Sequence, residues 1–326
     1  MVQKSNGAER HHKPTTVLSF SHLAMVGYTN NCSSMYKAEF PALGTTWWIK
    51  IFDDSDKPDQ IIESARSLVL DFEQNYSRFR QDSLVGRLNA GETLTSYPDE
   101  LREMLEFAQQ IYHLSVGYFD IRIGSTLENI GYDAAYSFQA KQPVSVSSEN
   151  LAVTTELKLP SGVKIDFGGM GKGWLIDKVA KHFSEQGLKY FSINAGGDIY
   201  VSSDHDRPVS FGLEHPFDLG KIIGNIDLKN TAIASSAPNR RQWKSSDGRN
   251  YSHLVSPKSG PSQQRQVSAV FVHSPTALLA DTCATAIFVS NPKVAKSLAT
   301  NLGVEFMLVF NDLGTFSTKA FPGKLI

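Results

Sequence analysis

The chain is poor in sulfur. Its two cysteines, Cys32 and Cys283, cannot build a disulfide framework, and no His/Cys cluster has the spacing of a zinc site. A dominant charge is missing too: 32 Lys and Arg stand against 33 Asp and Glu, a formal net charge of −1. That balance supplies neither the basic field of a nucleic-acid binder nor an acidic tail. No apolar run is long enough to span a bilayer. No short-period repeat and no low-complexity linker divides the chain, and no Ser/His/Asp set is evident along it.

What is present suits a globular protein. Hydrophobic residues make up 41% and charged residues 20% of 326 positions, enough chain to bury a good core. Residues 1–34 read as a leader or disordered extension, and 35–326 as one domain. The extension holds "VLSFSHLAMVGY", which has the length of a signal-peptide core but contains a histidine. The following "TNNCSS" lacks the small residues of a cleavage or lipidation site. Met35 is an alternative start. The expected location is the cytoplasm, with export or the periplasm as the alternative.

Periodicity supplies the elements. "TTWWIKIF" (Thr45 to Phe52) alternates like a strand. Helices are expected in "DQIIESARSLVLDFEQNYSRF", in "PDELREMLEFAQQIYHLS" with Pro98 near its start, and in "WLIDKVAKHFSEQG", stopped by Gly187. "TALLADTCATAIFVS" and "PKVAKSLATNLG" are two more, and the first should bury Cys283. "GYFDIRIG", Val163 to Phe167, "KYFSINAGGD", "VSFGLEH", "IIGNIDL", "TAIASS", "VSAVFVH" and "EFMLVF" read as strands, as does the end of the connection 134–161. Mixed strand pairs and helices argue for an α+β fold over a doubly wound parallel sheet.

One stretch is rich in glycine: "KIDFGGMGKGWLID", Lys164 to Asp177. A strand running through glycines into a helix is a place where backbone N–H groups can meet an anion. Neither familiar nucleotide motif fits. Lys172 is followed by Gly173 rather than Ser or Thr, and the glycine spacing does not match a dinucleotide fingerprint. A purely structural turn remains open. Asp281 and Thr285 lie four apart, on one face of the late apolar helix. As hard oxygen donors they suit Mg²⁺ rather than zinc; a capping aspartate and a back-bonding threonine are the other reading. His253 stands at a strand end beside Pro-Lys-Ser-Gly, where a base could sit. "SRFRQDSLVGRLN" is either a polar binding edge or a helix end capped by Asp82 or Ser83.

Seven blocks in order resemble the ApbE family, the FAD:protein FMN transferases. They are "ALGTTWWIKIF", "SRFRQDSLVGRLN", "GYFDIRIG", "IDFGGMGKGWLIDKVA", "INAGGDIY", "NYSHLVSPKSG" and "ADTCATAIFV". The resemblance implies an ApbE-like, T-fold-like α+β domain of mixed or antiparallel sheets with packed helices. It implies an enzyme that uses Mg²⁺ and takes FAD as substrate. FMN is moved onto a Thr or Ser hydroxyl of an acceptor protein, a flavin-carrying subunit of a redox complex, and AMP is released. FAD hydrolysis to FMN and AMP, or FAD binding without turnover, are the alternatives. The family's metal ligands fall on Asp281, Thr285 and the main-chain carbonyl of Gly171, where alanine is usual. Its candidate base falls on His253. Lys172, Asp120, Asp177 and the turn Asn194, Gly196, Gly197 and Asp198 fall on positions that shape the flavin site. No Ser-Gly-Ala-Ser/Thr acceptor motif occurs here, so the acceptor should be another protein. The chain departs from the pattern in "ASSAPNRR" (Ala234 to Arg241), where Ala237 replaces a glycine and Pro238 is inserted. Ser256 stands for an aspartate and Leu43 for a methionine.

Overall fold

The computed structural model describes residues 35–141, 151–204, 207–260 and 266–326. The proposed leader and part of the 134–161 connection lie outside them. The first half of the chain forms β1 (Tyr36–Ala42), β2 (Thr45–Ile51), α1 (Pro58–Tyr76), α2 (Leu84–Asn89), α3 (Asp99–Leu114) and α4 (Gly124–Asn129). The middle forms α5 (Gly171–Glu185), β3 (Phe191–Ala195), β4 (Asp198–Ser202), β5 (Val209–Glu214), β6 (Ile222–Leu228) and β7 (Thr231–Ser236). Then come β8 (Gln242–Lys244), β9 (Asn250–Ser252), β10 (Val267–Ser274), α6 (Ala277–Val289) and α7 (Pro292–Leu302). Last are β11 (Glu305–Phe310), β12 (Thr315–Ser317) and β13 (Lys324–Leu325).

An eight-stranded sheet in the order β1-β2-β3-β4-β7-β10-β11-β12 is the frame, and its ladders are antiparallel. A three-stranded sheet, β13-β6-β5, and the ribbon β8-β9 complete it. The α+β class holds. Period-two burial fixes the register: Trp47, Ile49 and Ile51 of β2 are fully buried while Trp48 and Lys50 are less so. Helix α6 is apolar on all sides, as a helix enclosed by protein must be, and packs on β7, β10, α5 and α7. Cys283 is buried there, and burial pushes its thiol up to about 12. A second apolar cluster, with Phe211, Leu213 and Ile226, underlies the small sheet. A third gathers Leu127, Ile130, Tyr132, Tyr251 and Val255.

Two expected strands are absent. "GYFDIRIG" is a turn that enters α4, with Val116 and Gly117 at positive φ and only a bridge from Ile123 to Lys164. Val163 to Phe167 is extended but unladdered apart from that bridge. Its backbone partners are Asn89, whose side-chain amide exchanges two hydrogen bonds with Ile165 (2.8 and 2.9 Å), and Ile121, whose carbonyl accepts from Asp166 N–H at 2.8 Å. Side-chain and single cross-links thus replace a strand partner. The end of the 134–161 connection likewise forms one bridge, Leu157 to Leu94. Helix α5 starts at Gly171, one turn earlier than the tryptophan suggests. Ser83, not Asp82, caps α2, accepting from Gly86 N–H at 2.8 Å.

Candidate active site

A cavity of about 370 Å³ opens where the three apolar clusters meet, with Phe72, Phe211 and Leu127 among its walls. Its floor is the junction of α5 and α6. Gly173 makes that junction possible: a Cβ there would lie 2.3 Å from the Ala277 carbonyl oxygen. Asp177, one turn on, accepts from the N–H groups of Ala277 and Leu278 at 2.8 and 2.9 Å, so it closes the start of α6. Burial outweighs those two donors and raises its pKa to about 6. With α6 seated in this way, Asp281 faces α5 and accepts from Gly173 N–H at 3.0 Å.

Lys172 lies between two buried carboxylates. Its ammonium is 3.0 Å from Asp198 Oδ2 and 3.4 Å from both oxygens of Asp281. Burial works to discharge the lysine, but the two carboxylates outweigh it and its pKa rises. Burial raises Asp198 to about 7 although Lys172 pulls the other way. Asp198 reaches the cavity because Gly196 and Gly197 (φ 67° and 110°) make a tight turn between β3 and β4, a backbone shape that glycine adopts freely. Thr285, one turn beyond Asp281, lines the same space with its hydroxyl 3.4 Å from that of Ser236. The back-bonding threonine of α6 is Thr282, which donates to Leu278 O at 2.7 Å.

His253 follows β9 and faces the cavity. Its Nδ1 is 3.3 Å from the Arg241 carbonyl. Only the Nδ1–H tautomer can donate to a carbonyl, so Nε2 keeps its lone pair. Burial and then the charge of Arg241, with a smaller part from Lys172, push the imidazole down to about 3. The ring is a neutral acceptor across the physiological range, not a group poised at its ordinary value.

The cavity thus gathers Gly171, Lys172, Gly196, Gly197, Asp198, His253, Asp281, Thr285 and Asp120 from distant parts of the chain. Asp120 is committed: its carboxylate is bonded to the Arg122 side chain and to Arg122 N–H. Two expected site residues lie elsewhere. Asp177 closes α6, and Asn194 accepts from Gly197 N–H at 2.9 Å, so it shapes the turn without lining the cavity. Arg78, expected only as part of a polar edge, is a buried strut. It pairs with Asp166, donates to Tyr132 O at 2.6 Å and lies over the rings of Phe79 and Tyr132. Arg241 carries no motif signal of its own. Among the described residues no three His, Cys, Asp or Glu side chains form a metal cluster, so a cation here depends on Asp281 together with hydroxyl and carbonyl oxygen.

Known proteins share this frame. FAD:protein FMN transferase of Haemophilus influenzae is 23% identical over 305 residues, covering 85% of this chain and 87% of that protein. The enzyme of that name from Rhodobacter capsulatus is 26% identical over 257 residues, 75% of this chain and 49% of that one. The crystal structure of the ApbE protein of Thermotoga maritima superposes with a TM-score of 0.78 at 24% identity, over 88% of this chain and 98% of that one. The ApbE family model matches residues 43–308, a span that holds the whole cavity floor, and the chain belongs to the ApbE family.

Proposed function

We propose that this protein transfers FMN from FAD to a Thr or Ser hydroxyl of a separate acceptor protein and releases AMP. One observation carries the reading: Lys172, Asp198, Asp281, Thr285 and His253 converge on a single cavity although up to 113 positions separate them. The proposed acceptor is a flavin-carrying subunit of a redox complex.

The donor set fits Mg²⁺. Asp281, Thr285 and the Gly171 carbonyl are hard oxygen donors on one wall, and so small a protein set leaves positions for water and substrate oxygens, as Mg²⁺ prefers. When bound, the ion would polarise a phosphoryl oxygen and lower the charge that leaves with AMP. The protein's own groups do the rest. The Lys172 ammonium, held charged, offsets part of the diphosphate's charge. His253 Nε2 takes the proton from the acceptor hydroxyl as its oxygen bonds to phosphorus. Its low basicity suits it to hold that proton only while negative charge on the phosphoryl group is beside it. The apolar walls keep the flavin end dry, which strengthens these charges.

The test is to incubate the full chain with FAD, Mg²⁺ and a candidate acceptor domain, then run a denaturing gel. Covalent flavin fluorescence on the acceptor supports the reading. Free FMN and AMP without labelling would make water the nucleophile, and unchanged FAD would leave only a binding protein.

A further inference from the structure

Five basic side chains line the cavity: Arg78, Arg80, Lys172, Arg240 and Arg241. Four are neutralised in place. Arg78 pairs with Asp166, Arg80 with Asp82, Arg240 with Glu214, and Lys172 with Asp198 and Asp281. Arg241 has no carboxylate partner among the described residues. Its guanidinium is held by two neutral acceptors, Tyr132 Oη at 3.0 Å and the Gly44 carbonyl at 2.5 Å. Gly44 sits in the two-residue turn between β1 and β2, and Tyr132 follows α4, so the fork is fixed by two segments distant in the chain. Two acceptors use only part of a five-donor planar group. Those bonds need donors but not a charge, so the fold itself gives no reason for an uncompensated cation.

The surroundings say what that charge faces. The carbonyl of Arg241 orients His253, and its cationic head acts on both His253 and Lys172. An uncompensated guanidinium in the same cavity as a neutral base and a committed lysine is matched to an anion brought by a ligand. An anion shared between fork donors is held by charge-assisted hydrogen bonds, which are stronger and more directional than neutral ones.

We propose that Arg241 is a substrate-contacting residue that grips the non-bridging oxygens of the phosphoryl group being transferred. The proposal rests on the transferase reading above. In the step it serves, the acceptor hydroxyl oxygen forms a bond to the FMN phosphorus. The bond from that phosphorus to the bridging oxygen breaks, and AMP leaves with the electron pair. The hydroxyl proton passes to His253 Nε2. Arg241 forms and breaks no bond; it holds the phosphoryl group in line and neutralises its charge. It lies at the end of "ASSAPNRR", four and three residues after the Ala237 and Pro238 departures from the ApbE pattern.

The experiment measures binding of FAD, FMN and riboflavin to the full chain at fixed Mg²⁺, by flavin fluorescence, for wild type, Arg241→Gln and Arg241→Lys. Riboflavin lacks the phosphate and is the internal control. Arg241→Gln should weaken FMN and FAD binding about 10- to 100-fold, leave riboflavin binding unchanged and flatten the salt dependence of FMN binding. Arg241→Lys should recover part of the loss. Equal weakening of riboflavin and FMN would make Arg241 a strut between two segments and overturn the proposal. Unchanged FMN binding, as expected if the guanidinium instead meets an acidic segment of the acceptor, would overturn it too. If wild type labels acceptor and Arg241→Gln binds FMN as tightly, only this assignment fails; if wild type binds no phosphorylated flavin, the transferase reading fails with it.

Discussion

The two walls of the cavity are built on different principles. In the wall of α5 and α6 the two helices meet closely through a glycine and are locked by buried carboxylates on backbone N–H groups. Gly173 brings the helices together, Asp177 closes the start of α6, and Asp281 accepts from Gly173 N–H. The other wall, from Arg240 to Pro257, is tied down by side chains. Arg241 reaches Tyr132 and Gly44, and Trp243 donates to Ile130 O at 3.0 Å. A close helix contact through glycine tolerates few residue types, whereas ties made by long side chains can be exchanged. The rigid wall therefore suits groups whose spacing must not vary, and the other suits groups that adapt to a particular acceptor.

Mutation should separate the walls by kind of damage. The largest effect is expected on chemistry, from His253→Ala. Losing a general base costs about 10²- to 10⁴-fold in rate. Initial rates of acceptor labelling should fall in that range while FAD affinity, read by fluorescence, is kept. Labelling at the wild-type rate would remove His253 from the mechanism.

Next comes stability on the other wall. In Gly173→Ala the new methyl meets the Ala277 carbonyl at 2.3 Å, and backbone cannot step aside cheaply. Overpacking of that kind costs about 1–3 kcal/mol, visible as a lower urea midpoint and weaker FAD binding together. Asp177→Ala should cost about 1–2 kcal/mol, because two N–H groups at the start of α6 lose their acceptors. If Asp177 bound flavin instead, Asp177→Ala would weaken FAD binding and leave the urea midpoint alone.

The walls also differ in how far the sequence reveals them. Helical periodicity shows α1, α3, α5 and α7, because apolar stripes at that spacing have few other uses, while α6 shows as a long, nearly unbroken apolar run. Asp281 with Thr285, and Lys172 among glycines, stand out because oxygen donors in an apolar helix and bare backbone before a helix need a reason. Asp177 and Asn194 share the same blocks as residues that line the cavity, and only the fold shows that one closes a helix and the other a turn. "GYFDIRIG" has a strand's composition but finds no ladder. Arg241 does not stand out in the sequence because its distinction is to have no carboxylate partner among the described residues, and pairing is a property of three dimensions. Arg240, beside it, is paired with Glu214.

The smallest expected effect is on pH dependence, and His253 sets its sign. The imidazole sits at about 3 in the folded chain and near 6.5 once unfolded. Between those values the unfolded state binds more protons, so stability from this group is complete above pH 6.5 and drains away as pH falls toward 3. His253→Gln removes that slope. Urea midpoints taken at pH 7, 5 and 4 should show wild type losing about 1–2 kcal/mol more than the variant, discounted because the ring is partly open to the cavity. Parallel lines for the two proteins would mean the ring titrates normally. The neutral-acceptor role would then give way to a histidine that is charged at mildly acid pH, and acceptor labelling should show an acid limb near pH 6.5.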